Sequence, residues 1–225
     1  MIKEASYYEK IDKDNVWCKL CPHNCKIPCN KSGICISRKA IRDEKEETIL
    51  INSNYEAITS IAIDPIEKKP LYHFYPGTNI ISAGTFGCNF KCSFCQNHSI
   101  SQQEVEYKKV SSEELVEVIL STPNNIGIAF TYNEPFIWYE YVLETAKLLK
   151  EKSNEKKVVL VTNGYVSKEP LEKLLPYIDA MNIDLKGNDN YYKNLCKGSL
   201  NPVLQTIEIA YKKGCHIEVT TLLVT

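Results

Sequence analysis

The sequence predicts an α/β protein, a sheet of parallel strands with a small cysteine-rich module at its N-terminus. From residue 79 onward, apolar β-branched runs alternate with amphipathic helical patterns, the arrangement of repeated strand–helix–strand units. Three of these runs are almost continuously apolar, as expected for parallel strands covered on both faces. Residues 1–60 instead carry a group of cysteines and few large apolar side chains. We therefore expect two parts, residues 1–60 and residues 61–225.

Five strands and four helices are expected in the second part. The strands are predicted at Ile80–Phe86, Ile126–Tyr132, Val158–Thr162, Ile178–Leu185 and Ile217–Val224. Ser111 and Glu114 form a capping box at the start of the first helix. The other helices begin at a proline or a capping residue, at Pro135, Ser167 and Asn201–Pro202, and the last one ends before Gly214.

The chain stops at Thr225, where the fifth predicted strand ends. An uncovered sheet edge is prone to pair with other chains. We therefore expect either that another element covers this edge or that the chain is a shortened form of a longer protein.

Composition and charge exclude several classes of partner. The 225 residues carry 27 Lys and Arg against 28 Asp and Glu, a net charge of −1, and no basic stripe suited to a nucleic acid. No apolar run approaches the ~18–20 residues that span a bilayer, and the N-terminus has no apolar signal core. We therefore expect a cytoplasmic protein with no nucleic-acid or membrane partner. In that compartment, ten cysteines indicate metal binding rather than disulfides.

Three cysteines follow the first predicted strand with the spacing C-x3-C-x2-C. They are Cys88, Cys92 and Cys95. In a parallel α/β sheet this edge carries the chemistry. Three thiolates can hold three irons of a [4Fe-4S] cluster and leave the fourth iron open to bind and reduce a substrate. Zinc is the weaker alternative, because its sites normally have four protein ligands or a nearby His, and here His98 alone is close in sequence.

Polar residues end the next three strands at the same edge of the sheet. They are Asn133 and Glu134 after the second strand, Thr162 and Asn163 after the third, and Asp184, Leu185 and Lys186 at the end of the fourth. Convergent donors and acceptors above one sheet suit a zwitterionic, ribose-bearing ligand. Each group has a simpler interpretation as a turn former or a surface ion pair, but three groups in register favour a binding site.

The cysteine motif resembles that of the radical SAM superfamily, whose pattern C-x3-C-x-aromatic-C is matched here with Phe94 as the aromatic residue. The resemblance implies a partial (β/α) barrel, a [4Fe-4S] cluster on the three cysteines, and S-adenosylmethionine bound to the open iron. In that family one electron from the cluster cleaves S-adenosylmethionine to methionine and a 5′-deoxyadenosyl radical, which abstracts hydrogen from a substrate.

The strand ends resemble more specifically those of the pyruvate formate-lyase activating enzymes. Asn133-Glu134-Pro135 stands where those enzymes have Gly-Gly-Glu, a segment that contacts the methionine amino group. Thr162-Asn163-Gly164 and Asp184-Leu185-Lys186 match two further segments, the second of which touches the cofactor. Val161 replaces an Asp that helps to hold a cation in those enzymes, so that cation site is not carried over.

A wider resemblance, to the radical SAM enzymes of the AmmeMemoRadiSam system, covers nearly the whole chain. It includes residues 64–74, residues 218–223 and Cys95-Gln96-Asn97. It implies that Gln96 belongs to the cofactor site and that the family's last strand and helices are missing from this chain. It also implies a protein or peptide substrate and a one-electron reductant such as flavodoxin or ferredoxin.

The N-terminal cysteines follow the spacing C-x2-C-x3-C-x9-C, at Cys18, Cys21, Cys25 and Cys35. Four such thiolates suit a tetrahedral zinc site and equally an auxiliary iron–sulfur cluster. A bound metal would stabilise a module with few large apolar side chains. His23 is the alternative ligand, and Cys29 is an additional thiol within the last gap.

Two other classes of protein share parts of this pattern. A ferredoxin-type electron carrier needs four thiolates at each cluster, and the central motif has three. A zinc-ribbon nucleic-acid binder needs Lys and Arg clustered beside the N-terminal cysteines, and none are present. Cys196 and Cys215 stand alone in the sequence and are expected to be small, partly buried residues with no partner nearby in sequence. The sequence therefore favours a radical SAM enzyme.

Overall fold

The computed structural model describes residues 3–223, and the strands in this range form one six-stranded sheet and three smaller sheets. The strands are β1 (Tyr8–Lys10), β2 (Asn15–Cys18), β3 (Lys26–Pro28), β4 (Arg38–Arg42), β5 (Thr48–Asn52), β6 (Ala57–Ile58), β7 (Ser60–Pro65), β8 (Asn79–Gly84), β9 (Lys108–Lys109), β10 (Asn125–Phe130), β11 (Lys157–Thr162), β12 (Ala180–Asp184) and β13 (His216–Thr220). The α-helices are α1 (His98–Ser101), α2 (Ser112–Ser121), α3 (Tyr139–Lys152), α4 (Lys168–Leu174), α5 (Asp189–Tyr191) and α6 (Leu200–Lys212). Short 3-10 helices lie at Ile66–Lys68, Pro135–Trp138 and Leu175–Tyr177, and a π-helical turn lies at Tyr192–Cys196.

The large sheet has the strand order β13-β12-β11-β10-β8-β7, and all its strands except β7 run parallel. All five predicted strands are present, so the α/β class with a mostly parallel sheet is confirmed. β8 and β10 each end two residues earlier than predicted. The backbone at Tyr132 enters the left-handed region (φ 72°), which ends the extended conformation after β10.

The edge strand β7 was not predicted from the sequence. It pairs antiparallel with β8 and exposes Ile61 and Ile63, so it lacks the buried apolar run of the parallel strands. It begins at the predicted boundary between residues 1–60 and residues 61–225, and this division stays a prediction.

The helices follow their start signals closely. Ser111 and Glu114 form the expected capping box, with the Glu114 amide donating to Ser111 Oγ at 3.2 Å and the Ser111 amide to Glu114 Oε2 at 2.8 Å. Pro135 opens a 3-10 turn that leads into α3. α6 begins two residues earlier than predicted, because Ser199 rather than Asn201 has the extended N-cap conformation.

Residues 66–74, which we call the plug segment, cover one face of the large sheet. Its Ile66, Leu71 and Phe74 pack with inward-facing apolar residues of four strands, namely Ile80, Ala129, Val159 and Ala180. Asn182 Nδ2 on β12 donates to Pro70 O at 2.9 Å, which fixes the segment against that strand. The helices and the N-terminal strands contribute to the main apolar core.

The N-terminal strands are tied to helix α3 by a buried ion pair. Arg38 Nη1 on β4 lies 2.9 Å from Glu140 Oε1, and both side chains are at most 5% exposed. Asn52 and the amide of Ser6 donate to the same carboxylate, so its charge is satisfied from three directions. Among residues 3–223, no helix has the length and apolarity needed to cross a membrane.

Candidate active site

The predicted cysteines lie on a loop that follows β8, residues 85–97, here called the cysteine loop. Cys88, Cys92 and Cys95 are half-buried and line a single cavity of about 520 Å³. This volume is typical of a pocket for a cofactor-sized ligand. The predicted cofactor-contacting residues Phe94 and Gln96 also line the cavity.

The cysteine loop is held by the segment that follows β10. Asn133 Oδ1 accepts from the Thr85 amide at 3.2 Å, while its Nδ2 donates to Gly87 O at 2.8 Å. Asn97 Nδ2 donates to Tyr132 O at 2.6 Å near the other end of the loop. The side chain of Asn133 is therefore engaged at both ends in positioning the backbone before Cys88.

A second set of contacts holds the loop at Cys92. The amides of Lys91 and Ser93 donate to Cys196 O at 2.9 Å and Leu195 O at 3.2 Å, at the end of the π-helical turn. The Cys196 thiol lies within hydrogen-bonding reach of Cys92, and this hydrogen bond raises the pKa of Cys92. Cys196 has no partner nearby in sequence, as expected, and the fold alone brings it to Cys92.

The polar strand ends meet at this cavity. Besides the cysteine loop, the lining includes the predicted residues Asn133, Glu134, Thr162, Asn163, Asp184 and Lys186. Leu185 is not brought to the cavity, because strand alternation turns its side chain to the main core while its amide pairs with Thr220 O.

Glu134 is buried and braces the ends of two strands. Its carboxylate accepts from the Phe136 amide at 2.9 Å, from Thr162 Oγ1 at 2.7 Å and from the Asn163 amide at 2.8 Å. Burial raises the pKa of this carboxyl to about 7, although these three donors favour its ionised form. Glu134 therefore fixes the turn after β11 beside the cavity.

Asn163 connects the turn after β11 to Cys88, the first cysteine of the motif. Its Nδ2 donates to Asn89 Oδ1 at 2.8 Å and lies 3.7 Å from Cys88 Sγ, and its Oδ1 accepts from the Tyr165 amide. Burial raises the pKa of the Cys88 thiol, and the nearby Glu134 carboxylate acts in the same direction.

Asp184 and Lys186 form an ion pair at the end of β12. Lys186 Nζ lies 2.7 Å from Asp184 Oδ2, and both side chains line the cavity, as the period of the strand predicts. Burial alone would lower the pKa of Lys186, but Asp184 raises it above its ordinary value. Lys186 therefore stays charged beside Cys92.

The N-terminal cysteines are neighbours in space. Burial raises the pKa of Cys18 to about 11, and the proximity of Cys35 and Cys25 adds to this rise. Burial also raises the pKa of Cys21, with contributions from the other three thiols. The four predicted ligands therefore share one neighbourhood, where bound metal would have to displace their protons.

In residues 3–223 no three His, Cys, Asp or Glu side chains converge closely enough to hold a single metal ion. The ligands of a [4Fe-4S] cluster bind different irons, so they are spread around the cluster instead of meeting at one point. Three thiols along one loop, facing a cavity, fit that requirement better than they fit a zinc ion.

Sequence reasoning missed the cavity wall formed by the plug segment. Lys68 and Lys69 line the cavity, together with Tyr132 and Thr131 after β10. The sequence marks residues 64–74 as part of the wider resemblance, but their connection to the site depends on how the segment folds back across the sheet.

Comparison with known proteins identifies the family. The sequence model of the radical SAM superfamily matches residues 83–225, a range that includes the cysteine loop and every polar strand end described above. The chain belongs to the radical SAM superfamily. The family implies a [4Fe-4S] cluster and S-adenosylmethionine, and this radical SAM protein presents three thiols beside a suitable cavity.

Several relatives are similar over much of the chain. An uncharacterized protein of Methanocaldococcus jannaschii is 46% identical over 99% of this chain and 65% of its own length. A second protein of that organism, named as a glycyl-radical enzyme activating enzyme on a provisional basis, is 33% identical over 62% of this chain and 54% of its own. The 4-hydroxyphenylacetate decarboxylase activating enzyme of Clostridium scatologenes is 28% identical over 58% of this chain and 40% of its own.

These matches relate the protein to the activating enzymes, the group that includes pyruvate formate-lyase activating enzyme. The chain spans less than two thirds of the length of each of these three relatives. Among solved structures, methylornithine synthase aligns with 66% of this chain and 46% of its own at 18% identity, with a TM-score of 0.48.

Proposed function

We propose that this radical SAM enzyme holds a [4Fe-4S] cluster on Cys88, Cys92 and Cys95 and binds S-adenosylmethionine in the adjoining cavity. The observation that carries the proposal is that three thiols on one loop face the cavity into which the polar strand ends project. When bound, the cluster and S-adenosylmethionine together supply a 5′-deoxyadenosyl radical that abstracts hydrogen from the substrate.

The protein's own residues divide into those that position the loop and those that meet the cofactor. Asn133 and Glu134 have their side-chain oxygens engaged with backbone amides and Thr162, so we assign them the role of positioning the cavity wall. Asp184 is 39% exposed and faces the cavity, so its carboxylate is available to accept from the cofactor. Lys186 beside it supplies positive charge near Cys92.

We further propose that the substrate is a protein or peptide and that the reductant is a one-electron carrier of the flavodoxin or ferredoxin type. The first part is supported by the related activating enzymes, one of which is named for the decarboxylase that it activates. Making a glycyl radical on a partner enzyme is the activity that this relationship favours.

The N-terminal cysteines are proposed to form a second metal site. The support is the shared neighbourhood of Cys18, Cys21, Cys25 and Cys35 in residues 1–60. Cys29 is an additional thiol in this range and is not assigned as a ligand. Either zinc or an auxiliary iron–sulfur cluster would use these four thiolates; in residues 3–223 no three of them converge on one point, which favours the cluster, and metal analysis distinguishes the two.

The proposal is tested by anaerobic reconstitution with iron and sulfide, followed by incubation with S-adenosylmethionine and dithionite. We expect 5′-deoxyadenosine and methionine in equal amounts, and none when dithionite is omitted. A brown protein that is reduced by dithionite but forms no 5′-deoxyadenosine would instead indicate an electron carrier. A colourless protein containing zinc would contradict the proposal.

A further inference from the structure

The plug segment places two lysines at the cavity wall, and the proposed function uses neither of them. Lys69 is 2% exposed, and Lys68 beside it is mostly exposed. Both line the same cavity as the motif cysteines. A buried lysine is costly unless its charge is compensated, so the partners of Lys69 need to be accounted for.

One carboxylate serves both lysines. Asp64 Oδ1 lies 2.8 Å from Lys68 Nζ, and Asp64 Oδ2 lies 2.8 Å from Lys69 Nζ. Burial alone would raise the pKa of Asp64, but the hydrogen bonds from Lys68, Lys69 and Tyr132 hold it well below its ordinary value. Two ammonium groups therefore share one negative charge, which leaves an excess of one positive charge at this wall.

The N–H donors of the two lysines also outnumber the acceptors that they contact. An ammonium has three N–H groups, and within residues 3–223 each of the two lysines donates to Asp64 as its hydrogen-bond acceptor. The ring of Tyr132 lies 4.7 Å from Lys69 Nζ and contributes a cation–π contact. These contacts hold the ammonium of Lys69 in place and leave N–H donors for a ligand in the cavity.

Tyr132 is held in this position at a conformational cost. It is an aromatic residue in the left-handed region, where large side chains are strained. Its ring also packs where a side chain at Gly84 would stand, because a Cβ there would lie 2.9 Å from Tyr132 Cδ2. The phenol donates to Asp64 Oδ2 at 2.9 Å, so Tyr132 belongs to the same cluster.

We propose that Lys68 and Lys69 bind an anionic group of the substrate, a carboxylate or a phosphate, at the end of the cavity formed by the plug segment. The inference deepens the proposed function and rests on it in one respect, since the substrate is taken to enter the cavity that holds the cofactor. Lys69 gives a fixed point of charge, and Lys68 closes on the ligand from the exposed side. Substrates without an anionic group near the reacting carbon are then disfavoured.

The test measures anion binding directly and does not depend on radical chemistry. Acetate is titrated into the full reconstituted chain with saturation-transfer NMR as readout, and inorganic phosphate is titrated with phosphorus line broadening. Lys68→Gln is compared with Lys212→Gln, a control of nearly equal exposure that also forms an ion pair with an acidic residue four positions away. We expect about fivefold weaker binding for Lys68→Gln and no change for Lys212→Gln.

A second variant removes the buried charge without leaving its partner unpaired. Lys69→Met leaves Asp64 paired with Lys68 and removes the excess positive charge, and we expect anion binding to weaken about tenfold or more. If acetate binds, the anionic group of the substrate is a carboxylate, and if phosphate binds, it is a phosphate. Unchanged binding in both lysine variants would overturn the proposal.

A final titration distinguishes lysines that bind the substrate from lysines that bind the cofactor. Saturating S-adenosylmethionine should leave the Lys68-dependent anion binding intact. If S-adenosylmethionine displaces acetate, or if Lys68→Gln weakens cofactor binding, the lysines serve the cofactor and the proposal fails. Failure of the 5′-deoxyadenosine assay would instead count against the proposed function, because the anion titrations need no turnover.

Discussion

The two groups of cysteines in this protein differ in what surrounds them. The central group, Cys88 to Cys95, lies on one loop whose thiols face a cavity lined with polar side chains. The N-terminal group has four thiols on the segments around β2 and β3, two of them buried, and none of them lines that cavity. An open site favours chemistry on a bound molecule, whereas a closed four-thiolate site favours stability.

The two groups are nevertheless in contact through the residues that flank Cys88. A Cβ at Gly87 would lie 2.5 Å from Cys35 O, so glycine is needed there for the close approach. On the other side, His23 Nε2 donates to Asn89 O at 2.7 Å. Residues near the N-terminal cysteines therefore support the cysteine loop on both sides of its first cysteine.

The largest effect should come from removing a central thiol. Cys92→Ala is expected to abolish 5′-deoxyadenosine formation after reconstitution, because an incomplete set of ligands cannot hold the cluster. Circular dichroism should show that the fold persists. Cys215→Ala is the control, since that thiol is buried near the start of β13 and does not line the cavity. Normal 5′-deoxyadenosine formation by Cys92→Ala would refute the assignment of the open site.

Removing an N-terminal thiol should reduce stability rather than cofactor cleavage. Cys21→Ala is expected to lose the second metal and to lower the free energy of unfolding by several kcal/mol, because thiolate–metal bonds form only in the folded state. Metal analysis and denaturant unfolding measure the two effects, with Cys29→Ala as the control. The triple Ala variant of Cys88, Cys92 and Cys95 should still bind metal, and a metal-free triple variant would contradict a separate site.

A smaller effect is expected from a residue that contacts the cofactor in the open site. Asp184→Ala should weaken S-adenosylmethionine binding by roughly 10- to 100-fold, since a charged hydrogen bond contributes ~1.5–3 kcal/mol. The perturbation of the cluster spectrum on titration gives the affinity. Asp189→Ala is the matched control, because its carboxylate also pairs with a lysine but does not line the cavity. Equal affinities for the two variants would remove Asp184 from the cofactor site.

The smallest effect concerns the contact between the two groups. His23→Ala should leave the second metal bound but make the cluster dissociate about two- to tenfold faster in the presence of a chelator, since one hydrogen bond of ~0.5–1.5 kcal/mol is lost. Loss of the cluster's visible absorbance measures this rate. His23→Gln keeps a donor and should restore part of the stability, while His73→Ala, whose ring pairs with Glu218, should change nothing. If Ala and Gln at position 23 behave alike, the hydrogen bond to Asn89 does not position the cluster.

The sequence predicted the local features because they depend on near neighbours. The capping box at Ser111, the five parallel strands and the C-x3-C-x2-C spacing all appear within short stretches of chain. Helix and strand starts shifted by one or two residues, as at Ser199, because the exact boundary depends on which residue adopts the extended cap conformation. The unpredicted strand β7 has no buried apolar run, so no local pattern marked it.

By itself the sequence determined the α/β class, the family and the polar strand ends that share one edge, because the alternation of a strand and the spacing of a motif are local properties. The tertiary structure alone decided which distant residues meet at that edge. It brought Cys196 to Cys92, turned Leu185 away from the cavity, and folded Lys69 back across the sheet. These contacts join residues tens of positions apart, and they form because burying the plug segment and the sheet faces is favourable only for the chain as a whole.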